Sequence, residues 1–306
     1  MNLVKWTSIE NSYRNEYISK LVSHYPELLN ERYVISEKVD GSNMHWAFSP
    51  DGTVRCASRN NYLDMNGSFQ GANIQSLYKA HDYLLSELLS DAMYSGKEIR
   101  LYGELFGQGI QKRVDYGPRK RLVYFGLMVD NEWQSFATLE YMLGSHGCGD
   151  LLVPILQIAD GLQEALDFDT EFDSLLNDKE NNLTEGVVIQ PYTKVYLDGN
   201  GSPFILKKKN EEFGEKKKTE KVLDMEVLTL NAEFKSYITE NRLLSVFSKE
   251  GMIQSPKEIG KYIRLLLIDA QDDFLKDNDT SHLDKQQQKD IFNVGSLVAN
   301  MLKSHL

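Results

Sequence analysis

The chain has 306 residues, a formal net charge of −11, 41% hydrophobic residues and 26% charged residues. That is enough for one large domain or two smaller ones around buried cores, and no apolar run approaches the ~20 residues that cross a bilayer. Its two cysteines, Cys56 and Cys148, form no CxxC pair, which argues against a disulfide framework or a cysteine-based zinc site. With no apolar signal core near the N-terminus, the expected setting is a reducing cytoplasm.

In chain order, the first informative stretch is "VISEKVDGSNMHWAF", residues 34–48. Asp-Gly between two apolar runs predicts a β-hairpin, since Gly accepts positive φ at no steric cost. Lys38 beside that turn is then either a solvated strand residue or a nucleophile held at a fixed point. Arg59 follows in "CASRN", and "NIQSLYKAHDYLLSELLSDAM" reads as helical. "IRLYGELF" and "RLVYFGLMV" read as strands carrying Glu104 between two glycines, which permit close backbone approach to a ligand, and Phe125, an aromatic able to stack on a base. Between these strands lies the basic stretch "QKRVDYGPRKR", with Lys112 and Arg113.

The next region is acidic, with ten acidic residues and one lysine from Asp150 to Glu185. "EGVVIQPY" reads as a strand headed by Glu185. In "ILKKKN", Lys207 and Lys209 alternate and so share one strand face. A second basic tract adds Lys216, Lys217 and Lys218. Screening confines charge effects to about 10 Å, so an acidic chain with two basic patches can still bind a polyanion.

After Lys221 the spacing turns helical. "DMEVLTLNAEFKSYITENRLLSVFSKEG" ends at Gly251 as C-cap. "SPKEIGKYIRLLLIDAQDDFL" opens with a capping box from Ser255 to Glu258 and Pro256 at the first helical position. "QKDIFNVGSLVANMLKSHL" supplies a last apolar-periodic segment. Short strands up to about residue 225, not each followed by a long helix, suit an α+β domain of antiparallel sheets.

Taken one at a time, these polar residues fit surface positions. As an ordered set, "EKVDGSN", "SRN", "YGELFG", "VYFGL", "EGVVIQP" and "ILKKKN" resemble the motifs of the covalent nucleotidyltransferases, and within them the RNA ligase 2 family of phage-type, nick-sealing RNA ligases. "GQGIQKRVDYG", "EFGEKKKTEK" and "YITENRLLSVFSKEG" extend the resemblance over most of the chain. Three positions depart from the phage relative: Ser36 replaces an arginine, Gly126 an acidic residue and Gln190 a lysine.

The resemblance implies an α+β, ATP-grasp-like nucleotidyltransferase core with flanking helices over residues 1–228, followed by an all-α domain over 229–306 that engages RNA. It implies an ATP-dependent RNA ligase that joins 3′-OH and 5′-phosphate ends, preferably nicks in duplex RNA, through lysyl-AMP and RNA-adenylate. Lys38, Glu185, Lys207 and Lys209 are the implied catalytic residues. Glu37, Asn43, Arg59, Glu104, Phe125, Lys207 and Lys209 are implied to bind the nucleotide, with Arg59, Asn43 and Glu104 on the ribose hydroxyls. Glu185 and Glu104 are implied to hold Mg²⁺, for which Mn²⁺ can substitute. Lys112, Arg113, Arg242, Asp269 and the lysines 216–218 are implied to contact RNA. The protein is expected to act as a monomer, in a host cytoplasm if a phage or virus encodes it.

An ordinary lysine ammonium, pKa near 10.4, is no nucleophile, so the chemistry needs neighbouring positive charge that disfavours protonation of the attacking amine. The rival readings are an ATP-dependent DNA ligase, a GTP-using capping guanylyltransferase and an inactive RNA-end-binding protein. The two enzymes carry an OB-fold barrel after the last motif, where this chain reads as helices. The third would be expected to have lost one of the key residues.

Overall fold

The computed structural model describes residues 2–213, 224–253 and 255–305. Thirteen strands occur among them: β1 (Glu10–Asn11), β2 (Arg32–Glu37), β3 (Ser42–Phe48), β4 (Val54–Ser58), β5 (Tyr62–Leu63), β6 (Ser68–Phe69), β7 (Ala72–Asn73), β8 (Ile99–Phe106), β9 (Arg121–Val129), β10 (Glu132–Trp133), β11 (Ile155–Asp160), β12 (Gly186–Pro191) and β13 (Leu206–Lys209). They form a five-stranded sheet of order β1-β13-β12-β2-β11, a six-stranded sheet of order β10-β9-β8-β3-β4-β5, and the small β6-β7 pair. Apart from the parallel β1–β13 contact, every pairing between two of these strands is antiparallel. The fold is α+β, as the sequence implied.

Alternation sets what each sheet face buries. Met44, Trp46 and Phe48 of β3 and Leu101 of β8 pack with Leu84, Leu85 and Leu88 from helix Asp82–Ser90, and with Leu139 and Met142 from helix Phe136–Ser145. Fully burying such side chains stabilises by about 1.5–3 kcal/mol each. A second core draws Val34 from the five-stranded sheet together with Phe106 and Val123 from the six-stranded one. Residues between these two sheets therefore face a shared cleft. The helical stretch at 73–93 is split, with helices Ile74–Ala80 and Asp82–Ser90 meeting at His81.

The expected hairpin at Asp40-Gly41 is not there. β2 and β3 belong to different sheets, so residues 38–41 carry the chain from one sheet to the other. Neither Asp40 nor Gly41 adopts positive φ. Gly41 is needed for closeness instead, because a Cβ there would stand 2.4 Å from the Leu105 carbonyl oxygen. The glycines around Glu104 likewise make room for neighbouring backbone. A Cβ at Gly103 would lie 2.5 Å from Val123 O, and one at Gly107 2.3 Å from Arg119 O.

The chain forms two compact units, Met1–Arg14 with Asn30–Lys221, and Asn15–Leu29 with Val222–Leu306. The second unit is helical. Helix Asn15–His24, which the sequence reading left with the first domain, joins helix Met225–Ser236 there, and Ser23 Oγ donates to Asn231 Oδ1 at 3.4 Å. Helices Glu240–Glu250 and Ile259–Asp277 bury Leu243, Phe247, Leu266 and Phe274 in one core. Gly251 caps the first of these at φ 86°, and Ser255 N donates to Glu258 Oε2 at 3.1 Å, as the capping box requires. No described helix is long and apolar enough to cross a membrane.

Candidate active site

Lys38 follows directly on β2. Its N–H donates to Gly186 O at 2.8 Å, which ties the start of β12 to the residue. The Nζ donates to Glu185 Oε2 at 2.5 Å, and Lys209 Nζ approaches the other oxygen of the same carboxylate at 3.1 Å. Glu185 is itself buried, its side chain 4% exposed, and its carbonyl accepts from Asn210 N at 2.9 Å. One carboxylate is thus shared by two ammonium groups. Desolvating it without them would cost far more than the pair returns as stability, so the cluster reads as function.

Register brings the other members to the same face. Val188 lies opposite Ser36 on one side and Lys207 on the other, and Gly186 lies opposite Lys209. Directly opposite residues share a face, so Lys207 looks into the cleft with Ser36 and Val188. Burial lowers the Lys207 pKa, and the charges of Lys38 and Lys209 lower it further. Lys208 points the other way, and its Nζ donates to Leu166 O and Phe168 O at 2.8 and 2.9 Å.

The six-stranded sheet faces this cluster with Glu104 on β8, opposite Asn43 on β3. Burial, with smaller contributions from the Glu185 and Asp40 charges, pushes the Glu104 carboxyl up to about 8, and Lys38 opposes the rise. Asn43 Oδ1 is buried and makes no hydrogen bond within the protein. An orphaned acceptor beside a carboxyl suits a ligand rich in hydroxyl groups. Arg59 is exposed just beyond β4 and donates to Ser8 Oγ at 2.9 Å. Phe125 is half-buried on β9, with the Trp6 ring edge-on at 4.9 Å.

The structure therefore gathers Lys38, Glu185, Lys207, Lys209, Glu104 and Asn43 about one cleft. Glu37 departs from them. Its carboxylate accepts from Ser174 Oγ, Leu175 N and Thr184 Oγ1, which leaves only main-chain atoms for contact with a nucleotide. Lys112 is exposed. Arg113 lies at the crossover, donating to Asp40 Oδ1 at 3.2 Å with its guanidinium 5.0 Å above the Phe213 ring. Asp40 N donates to Tyr116 Oη at 2.8 Å. Asp40 and Tyr116 are site residues that sequence reasoning did not assign, and the shared "VDG" and "VDYG" strings were the only signal. Arg242 donates to Asp269, to Asp273 Oδ2 at 2.8 Å and to Tyr237 O at 3.0 Å, so the first two are brought together as a locked pair. Lysines 216–218 lie outside the described residues.

Among the described residues no three His, Cys, Asp or Glu side chains gather into a metal cage. The donor set still fits a hard cation of the Mg²⁺ type, which keeps most of its waters and takes one or two carboxylates plus ligand phosphates. Glu185 and Glu104 are the carboxylates that would hold such an ion, and the nearby Asp40 Oδ2 is buried without a hydrogen-bond partner in the protein. Two sheets thus bring ammonium groups and carboxylates together at Lys38, while Phe125 of β9 lines a separate cavity with Trp6, Gly126, Trp133 and Gln190.

Among solved structures, a mutant Naegleria gruberi RNA ligase with AMP and Mn matches at 17% identity and a TM-score of 0.51, over 69% of this chain and 57% of that one. A second mutant of that ligase, with ATP and Mn, matches at 16% identity and a TM-score of 0.52, with the same coverage. The likeness establishes a shared fold, and the chain spans only 57% of the length of those structures. The family described as RNA ligase matches residues 31–209, and the one described as T4 RNA ligase 2 C-terminal matches residues 221–296. The first match takes in Lys38, Glu104, Glu185, Lys207 and Lys209, and the two together identify the chain as a member of the RNA ligase family, in its RNA ligase 2 branch.

Proposed function

We propose that the protein is an ATP-dependent RNA ligase that seals 3′-OH and 5′-phosphate ends, preferably at nicks in duplex RNA. The observation that carries the reading is the Lys38–Glu185–Lys209 cluster, with Lys207 on the same face and Glu104 across the cleft. Lys38 Nζ, once deprotonated, attacks the α-phosphorus of ATP. The N–P bond forms as the bond to pyrophosphate breaks, and Lys207 and Lys209 neutralise charge building on the phosphate oxygens. The AMP passes from Lys38 to the RNA 5′-phosphate oxygen, and the 3′-hydroxyl oxygen then displaces AMP. Glu104, Asn43 and Arg59 hold the ribose and Phe125 covers the adenine. Glu185 and Glu104 would hold Mg²⁺ or Mn²⁺, which when bound would supply charge neutralisation at the phosphates. Positioning and electrostatics supply most of the acceleration in such transfers, so no histidine base is needed.

Lys112, Arg113 and the lysines 216–218 supply basic contacts to RNA phosphates, with Arg242 and Asp269 engaging the duplex from the helical unit. Incubation with α-labelled ATP and Mg²⁺, then denaturing gel electrophoresis, tests the covalent step. An acid-labile label on the wild type, absent from Lys38→Ala and not formed from GTP, is expected. Nicked RNA, nicked DNA and single-stranded RNA in parallel reveal the substrate, with nicked RNA sealed fastest. A folded wild type that takes no label would overturn the reading.

A further inference from the structure

A cavity lined by Trp6, Phe125, Gly126, Trp133 and Gln190 lies along the sheet from Glu104, and residues far apart in sequence build it. Along β8, Glu104 faces Asn43 while Tyr102, two positions on, faces His45 and Gly126. Two strand residues span roughly 7 Å, about the length of a purine. At the Tyr102–Gly126 level the cleft is closed by Trp6. Its ring lies 5.1 Å from Tyr102, 4.9 Å from Phe125 and 5.2 Å from Trp133 between centroids. A Cβ at Gly126 would stand 2.2 Å from its Cζ3, so the ring fills the space a side chain there would take. Gln190 of β12 lines the same cavity and faces it on the sheet side, one pair of residues beyond Val188.

The chain around Trp6 is fastened at both ends. Val4 O accepts from Tyr102 Oη at 2.9 Å, Ser8 Oγ accepts from Arg59, and Glu10 and Asn11 pair with Leu206 and Lys207. Trp6 is therefore held as a wall rather than lying loose.

Building on the nucleotide reading above, we infer that Trp6 is a specificity-determining residue: it ends the base subsite, aligns the Phe125 ring and limits which purines fit, with Gln190 as the polar group at that wall. With phosphates at Lys38 and ribose at Glu104 and Asn43, a base lying over Phe125 presents its six-membered edge to Trp6, since that edge is the one farthest from the glycosidic nitrogen.

The test compares self-labelling by ATP and by N6-benzyl-ATP in the wild type, Trp6→Ala, Trp6→Leu and Trp6→Phe. Losing an aromatic pair contact corresponds to roughly a tenfold change in binding, so Trp6→Ala and Trp6→Leu should raise the KM for ATP about tenfold with kcat little changed. The wild type should reject N6-benzyl-ATP and both truncations should gain its use, while Trp6→Phe should behave as wild type with ATP. Nucleotide-induced change in tryptophan emission should shrink in Trp6→Phe, which keeps Trp46 and Trp133. An unaltered KM with continued rejection of the bulky analogue, in whichever truncation variant folds, overturns the inference. A wild type that takes no label from ATP overturns instead the ligase reading on which it rests.

Discussion

At the scale of single residues, several positions act by how closely they let their neighbours approach. Gly41→Ala sets a methyl group against the Leu105 carbonyl, which cannot retreat without moving β8. The expected cost is about 1–3 kcal/mol, seen as a lower urea midpoint, together with loss of AMP labelling because the crossover carries Lys38. A wild-type midpoint would show that the crossover yields freely. His45 gives a pH prediction. Both its ring nitrogens are buried without a hydrogen-bond partner, and burial, then Arg100, depress its pKa to about 4 from the usual 6.5. Between those values the unfolded chain binds the proton and the folded one does not, so stability is full above about pH 6.5 and falls as pH drops toward 4. The slope is up to about 1.4 kcal/mol per pH unit from this group alone. Denaturant titrations at pH 6.5 and pH 5 should differ less for His45→Phe than for the wild type. The nucleophile and its lysine partners were legible as residue types in order. Glu37's inward carboxylate and the Asp40–Arg113 pair were not, since both depend on loops arriving from over seventy residues away.

At the scale of elements, β13 separates two duties along four residues. Lys207 and Lys209 face the cleft, while Lys208 tethers the strand to the carbonyls of Leu166 and Phe168. Lys208→Ala should lower thermal stability while leaving the labelling rate near wild type. Lys207→Ala and Lys209→Ala should do the reverse, with labelling down by at least about a hundredfold, as for loss of a transition-state charge contact. In the helical unit the Thr239 side chain accepts from Arg242 N at 3.2 Å, and Thr239→Ala should cost about 1 kcal/mol. Alternation and cap residues made most of these elements readable, because both are local signals. The Asp-Gly crossover was misread for the same reason: two apolar runs around Asp-Gly look alike whether they pair with each other or with strands elsewhere.

Over the whole molecule, the residues proposed for catalysis lie in one compact unit, yet that unit is not a continuous piece of chain. Residues 15–29 belong with the C-terminal helices and bury Ile18, Leu21, Val22 and Leu28. A chain ending at residue 221 should therefore still take AMP on Lys38. It should also expose those four apolar side chains, and melt lower or aggregate more readily than the full chain in a thermal scan followed by light scattering. No periodicity in residues 15–24 distinguishes packing against a sheet from packing against a distant helix, which is why this assignment came only from the structure.

The β1–β13 pairing also dictates a timetable. Lys38 leaves the ribosome well before the carboxylate that meets it, which is 147 residues further on, and the strand carrying Lys207 and Lys209 comes later still. At ordinary elongation speeds the nucleophile waits on the order of ten seconds or more for its partners. Until residue 209 has emerged, the early sheet has an open edge where β12 and β13 belong, and Glu10 and Asn11 have no strand to join. Nascent chains stalled before that point should be captured by chaperones and remain unlabelled by ATP, and those stalled well beyond it should acquire the label while still attached.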